Sequence, residues 1–213
     1  MIASTHKILD VLETMFSLNI DGSDSGIKIL PTDAIENMER LTSNPLVVIS
    51  SNMTGEMQGS LKLVMPSSDF KDLGEALKPT LKLIFLSNPD ADLSTLEDQT
   101  PHWMEDDKQS DSDDFAFLEQ MIDTSTELGN VLFGIYTDAI YRVYDLHTRH
   151  SLPEFAIASD QQFIGDVLSS SALLDKQHLM IENNFSLLNG HFGLWCLISP
   201  SKESFQVMLD RVS

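Results

Sequence analysis

The sequence predicts an α/β (α+β) protein in which two pseudo-repeated halves share a mostly antiparallel sheet packed against long helices. Three observations point there. Segments with helical spacing alternate with short strand-like segments along the chain. The stretch Gly59-SLKLVM-Pro66-Ser67 is echoed by Gly193-LWCLIS-Pro200-Ser201, each an alternating strand that ends in Pro-Ser and turns into a helix. At 213 residues and 42% hydrophobic content the chain is long enough to bury one sizeable core.

The elements follow in order. Ile8, Leu9, Leu12, Met15 and Phe16 share one face of a helix over residues 5–18. The Asp21-Gly22 pair and the Ser/Asp/Gly cluster after it end that helix, and 26–30 form a short strand. A helix over 32–42, capped by Thr32 or Asp33, precedes a β-branched strand from Leu46 to Ser51. Gln58–Met65 alternates, with Leu61, Leu63 and Met65 facing one way, and ends at Pro66; a helix follows from about Asp69. From about 88 to 113 the periodicity vanishes in an acidic, Pro/Ser-rich stretch, which reads as a long mobile loop with Trp103 as an anchor.

Phe115 to about His147 is the longest helical segment. Phe117, Leu118, Met121, Leu128, Leu132, Ile135, Ala139 and Val143 define its apolar face, with Asp123, Glu127, Asn130, Gly134 and Thr137 opposite. After Pro153 come a strand at Glu154–Ala158, a short helix near Gln162–Leu168, and strands His178–Leu188 and Gly190–Ser199 joined around Asn189-Gly190. Pro200-Ser201 opens a terminal helix to Val212. The whole reads as a single domain: a first half to about 87, the acidic loop 88–113, and a second half 114–213.

Composition excludes several functions. The net charge of −20, with 33 acidic against 13 basic residues, lacks the cationic footprint that displaces counterions from nucleic acid. It equally disfavours an anionic membrane surface. The single cysteine, Cys196, sits in the apolar run GLWCLI and reads as a small buried hydrophobe. It permits no intramolecular disulfide, the N-terminus has no signal-peptide pattern, and no window approaches a membrane span; the expected compartment is the cytoplasm.

Asp123-xxx-Glu127-xx-Asn130, followed after 22 intervening residues by Pro153, carries the chemistry. Offsets of i, i+4 and i+7 nearly complete whole turns, so a carboxylate and a carboxamide stand side by side on one helical stripe. A carboxamide can donate to one group while accepting from a water. On its own, such a stripe is also what an ordinary solvated helix face looks like.

This pattern resembles that of the CheC/CheX/FliY group, phosphatases that act on phosphorylated CheY in bacterial chemotaxis. Glu127-Leu-Gly-Asn130 is similar to the group's EIGN-type core, and the Ser151-Leu-Pro153 segment also looks familial. The layout is closer to CheX than to CheC, which carries two copies of the motif. Here Glu13 in the opening helix is followed three residues later by Phe16 instead of Asn. The resemblance implies Asn130 and Glu127 as catalytic residues, with Asn130 positioning the attacking water. It has Glu127 pair with the regulator's active-site Lys, Asp123 on the rim, and Pro153 shaping the site and supporting the motif helix. It implies no cofactor of the protein's own, because the Mg²⁺ belongs to the partner regulator. It also implies a homodimer, joined through edge strands with the motif helices left open. A non-catalytic module docking on a regulator or a flagellar-switch component is the alternative, and it is indifferent to Asn130.

Other constellations are weaker. His147-xx-His150 is expected to cap the carbonyls at the end of the long helix. His178 and His191 read as surface residues of strands, and Ser169-Ser170-Ser171 as a turn. The acidic loop lacks the Gly and Glu spacing of an EF-hand, and no Walker A or Gly-rich dinucleotide motif occurs.

Overall fold

A computed structural model describes residues 21–38, 41, 45–74, 112–159, 161–163, 165, 177–187 and 190–212. The expected opening helix, Trp103, nearly all of the acidic loop and the serine triplet lie outside these residues.

Seven strands form one sheet: β1 (Asp21–Pro31), β2 (Leu46–Gly55), β3 (Gly59–Pro66), β4 (Thr148–His150), β5 (Glu154–Ala158), β6 (Gln177–Leu187) and β7 (Gly190–Pro200). Their order is β1-β6-β7-β3-β2-β4, with β5 sharing the outer side of β2 with β4, and every pairing is antiparallel. The longer helical stretches among the described residues are α1 (Thr32–Glu36), α2 (67–74), α3 (Ser112–Tyr144) and α4 (Lys202–Val212), with further helical residues at 41, 161–163 and 165.

Because side chains alternate across a strand, both faces of the sheet carry a core. Val47, Ile49 and Met53 of β2, with Leu61, Leu63, Cys196 and Ile198, pack under α2, α3 and α4. Leu46, Val48, Val64, Trp195 and Leu197 point the other way, against Ile35 of α1, Leu41 and Phe163.

The internal repeat is a real symmetry of the sheet. β3 and β7 are its central neighbours, paired from Gly59↔Pro200 to Val64↔Trp195. Turning the sheet about the point between Lys62↔Leu197 and Leu63↔Cys196 superposes the repeated stretches. The same turn carries Thr148–His150 onto Asp21–Ser23 and Glu154–Ala158 onto Ile27–Pro31, a shift of 127 residues in both cases (148 against 21, 154 against 27). The single strand β1 therefore stands where β4 and β5 stand in the other half. The break at 151–153 corresponds to the register irregularity between Ser23 and Gly26.

Three expectations need correction. The Ser/Asp/Gly cluster is not a turn: β1 runs through it, because pairing with β6 supplies its backbone partners, and the irregularity absorbs Asp24 and Ser25. The helix expected over 32–42 is interrupted: Thr32–Glu36 is helical, the chain leaves the helix at Asn37 and Met38, and Leu41 is helical again. α3 opens at Ser112, inside the stretch read as loop, and ends at Tyr144. It stops there because Asp145 is left-handed (φ 55°) and donates its N–H to the Tyr141 carbonyl at 2.7 Å, an αL cap.

Candidate functional site

α3 has 33 residues, about 50 Å at 1.5 Å per residue, and lies across the β2/β4/β5 side of the sheet. Its buried stripe is not quite the expected one. Met121, Leu128 and Leu132 are buried as expected, but so are Phe133, Tyr136 and Ile140, whereas Val143 is 66% exposed. Thr137, expected on the polar face, is buried and donates its hydroxyl to the Phe133 carbonyl at 2.9 Å. A helix lying on a wide, two-sided sheet buries a broader arc than apolar residues alone mark out.

Gly129 sets how close α3 comes. A Cβ there would stand 2.6 Å from Ile49 Cγ2 and 3.6 Å from Pro153 Cβ, so only glycine admits this approach. The next contacts run along the helix in register with the segment leading back to β4. His150 meets the Phe133 ring edge-on with centroids 5.9 Å apart, and the His147 ring stacks on Tyr141 at 4.5 Å. Neither histidine does the capping expected of it. The His147 backbone N–H goes to Glu56 Oε2 at 2.7 Å, and His150 Nδ1 lies 2.9 Å from the Ser151 carbonyl.

The 151–153 segment is pinned to β2. The Ser151 N–H donates to the Asn52 carbonyl at 2.9 Å, and the Asn52 N–H donates to Ser151 Oγ at 3.1 Å. The buried Ser51 hydroxyl donates to the Ser151 carbonyl at 2.8 Å. Pro153 fixes the exit of the segment and sits beside Gly129.

Asp123 and Glu127 are exposed on α3, and Asn130, next to Gly129, is half-buried. Glu127 and Asn130 lie about 60° apart around the helix. Gly129, the residue before Asn130, is the one that faces Pro153, with Glu127 exposed two residues earlier and Asp123 one turn before that. Two turns further along the same stripe a cleft of about 920 Å³ opens between Gly134, Asp138 and Tyr141 of α3 and Gly55, His147 and Arg149. Asp138 pairs with Arg142 at 2.9 Å. Beneath α3, Cys196 is fully buried; burial pushes its thiol well above the ordinary range, only partly offset by a hydrogen bond with Tyr136. Among the described residues no group of three or more His, Cys, Asp or Glu side chains is arranged to hold a metal, and no helix is long and apolar enough to cross a membrane.

Compared with solved structures, the chain is similar to FliY of Thermotoga maritima at 11% identity over 98% of this chain and 91% of that one, with a TM-score of 0.61. Its fold is that of the CheC/CheX/FliY group. The CheX–CheY complex with BeF3 and Mg²⁺ from Borrelia burgdorferi matches at 15% identity over 93% and 96% of the chains, with a TM-score of 0.50. The FliM middle domain of Vibrio alginolyticus matches at 8% identity over 98% and 92%, with a TM-score of 0.51. No family model and no curated protein matches the sequence.

Within the CheC/CheX/FliY fold, the sequence motif marks Glu127, Asn130 and Pro153. The residues that fix the geometry around them are Ser51, Ile49 and Ser151, of which only Ser151, in the Ser151-Leu-Pro153 segment, carried a signal in the sequence; Ser51 is one of two serines that follow the apolar LVVI run of β2.

Proposed function

We propose that this protein is a phosphatase that stimulates hydrolysis of the aspartyl phosphate of a CheY-type response regulator in chemotaxis signalling. The observation that carries the reading is the open stripe of α3. It presents an exposed carboxylate, Glu127, and a half-buried carboxamide, Asn130, side by side on a helix locked to the sheet at Gly129. In the reaction, water attacks phosphorus in line, the P–O bond to the regulator's aspartate breaks, and carboxylate and inorganic phosphate leave. The regulator's own Mg²⁺ and Lys neutralise the phosphoryl oxygens, so a partner contributes mainly positioning. Asn130 accepts a proton of the water in a hydrogen bond while its amide donates to the phosphoryl group. Glu127 pairs with the regulator's Lys and aligns the two proteins, a contact that weakens as salt rises. Asp123 adds rim charge and Pro153 holds the seam. The protein brings no metal, acts in the cytoplasm and works as a homodimer.

Asn130→Ala tests this. A CheY-type regulator phosphorylated by a small-molecule donor loses phosphate on the order of a hundredfold more slowly with the variant than with the wild type. The thermal midpoint of the variant stays close to the wild-type value. Unchanged stimulation by a folded variant refutes the assignment, and a wild-type protein that binds the phosphorylated regulator without accelerating its hydrolysis makes it a docking module.

A further inference from the structure

Resting on that function, we infer that Leu152 is the apolar anchor on which the regulator's receiver domain seats, beside Glu127 and Asn130. Leu152 is 84% exposed, the most exposed large hydrophobic side chain among the described residues. A lone exposed leucine means nothing by itself. This one differs in three respects.

First, it is held in place. The preceding residue makes the hydrogen bonds to Ser51 and Asn52, and the following one is a proline lodged beside Gly129. A segment anchored on both sides of its apolar residue loses little freedom on binding, so burial of the side chain is realised as affinity. Second, it adjoins Pro153, which faces Gly129, the neighbour of Asn130, so it falls within the footprint of a domain that brings a phosphoryl group to Asn130. Third, it is confined to the motif-bearing half. The pseudo-two-fold relation puts Ser25 at the place of Leu152 in the other half, where the chain reads Asp24-Ser25-Gly26. Packing the sheet therefore does not call for a leucine at this break.

The surroundings select the occupant. Glu154 is exposed two residues after Leu152, and Asp123 and Glu127 are exposed on the motif helix, against a single exposed cation, Arg149, among the described residues of the same edge, in a chain of net charge −20. Anionic lipid is repelled by such a rim. A receiver domain matches it, because its active site carries the Mg²⁺ and Lys that the proposed function sets against Glu127.

The test titrates the wild type, Leu152→Ala and Leu152→Met against a panel of CheY-type receiver domains loaded with beryllofluoride and Mg²⁺. Leu152→Ala is expected to weaken binding roughly ten- to a hundredfold, the range set by losing a buried leucine. Its thermal midpoint stays at the wild-type value, and Leu152→Met restores most of the affinity. In turnover Leu152→Ala raises KM far more than it lowers kcat, the reverse of Asn130→Ala. Leu152→Ala binding as tightly as a wild type that does bind overturns the anchor alone. Loss of a homodimer in place of regulator affinity also overturns it and reassigns Leu152 to self-association. A wild type that binds no receiver domain overturns the function, and the anchor with it.

Discussion

Cys196 and Asn130 lie on opposite sides of the interface between α3 and the sheet, and the fold treats them in opposite ways. Asn130 is kept at the solvent seam, whereas Cys196 is sealed beneath Tyr136. The hydrophobic setting of GLWCLI was enough to read that thiol as buried. Its raised ionisation has a consequence for stability. Below about pH 8.5, the usual thiol value, both folded and unfolded chains hold the proton and stability is unaffected. Above it the unfolded chain ionises and the folded one does not, so stability falls by about 1.4 kcal/mol per pH unit from this group until the folded thiol itself titrates. Denaturant titrations at pH 8 and pH 10 are expected to show Cys196→Ala losing less stability between the two than the wild type. Equal losses would mean that the thiol ionises in place. The same burial leaves native Cys196 inert to alkylating reagents.

At the scale of the element, α3 shows what a motif encodes and what it leaves out. The stripe of Asp123, Glu127 and Asn130 follows from spacing alone, and the helix was legible almost to its ends. The arc it buries was not. Phe133, Tyr136 and Ile140 fall at angles that depend on which part of a seven-stranded sheet lies underneath, and that is decided by pairings more than ninety residues apart in sequence. The turn signal of Asp21–Gly26 misled for the same reason, since a local preference yields to nine residues paired with β6. Gly129 is where the motif and the packing meet. Gly129→Ala inserts a methyl 2.6 Å from Ile49 Cγ2, and overpacking of this kind costs about 1–3 kcal/mol. The displaced helix also shifts Asn130 relative to Pro153, so phosphatase stimulation is expected to fall along with stability. Removing the obstacle, as in Gly129→Ala with Ile49→Ala, should let α3 return to its seat and recover part of the stimulation. A Gly129→Ala protein as stable and as active as the wild type would show that α3 is not seated by this contact.

For the molecule as a whole, the repeat of Gly59–Ser67 in Gly193–Ser201 was the most informative long-range signal, because its two copies turned out to be the central strands of the sheet. The break in β4/β5 and its counterpart in β1 carry no comparable sequence echo, and they emerge only from the register. That arrangement bears on assembly. The two edges of the sheet are unlike. On the side of the motif the edge is two short pieces, Thr148–His150 and Glu154–Ala158, interrupted at Leu152 and flanked by α3. On the far side β1 runs for eleven residues, and among the described strands only β6 pairs with it. A long edge whose outward backbone groups have no strand partner among the described residues is a template for another strand, and two copies related by a two-fold axis satisfy each other. β1 and β2 are four strand spacings apart, about 19 Å, so pairing through β1 leaves α3, Glu127 and Asn130 of both copies open to a docking domain. Light scattering at micromolar concentration is expected to give twice the chain mass. Proline at Lys28 or at Ile29, whichever N–H points outward, should return the monomer with the phosphatase stimulation per chain retained. A wild-type protein of strictly single-chain mass would mean that the two halves of one chain already form the complete two-fold unit, with β1 covered from within.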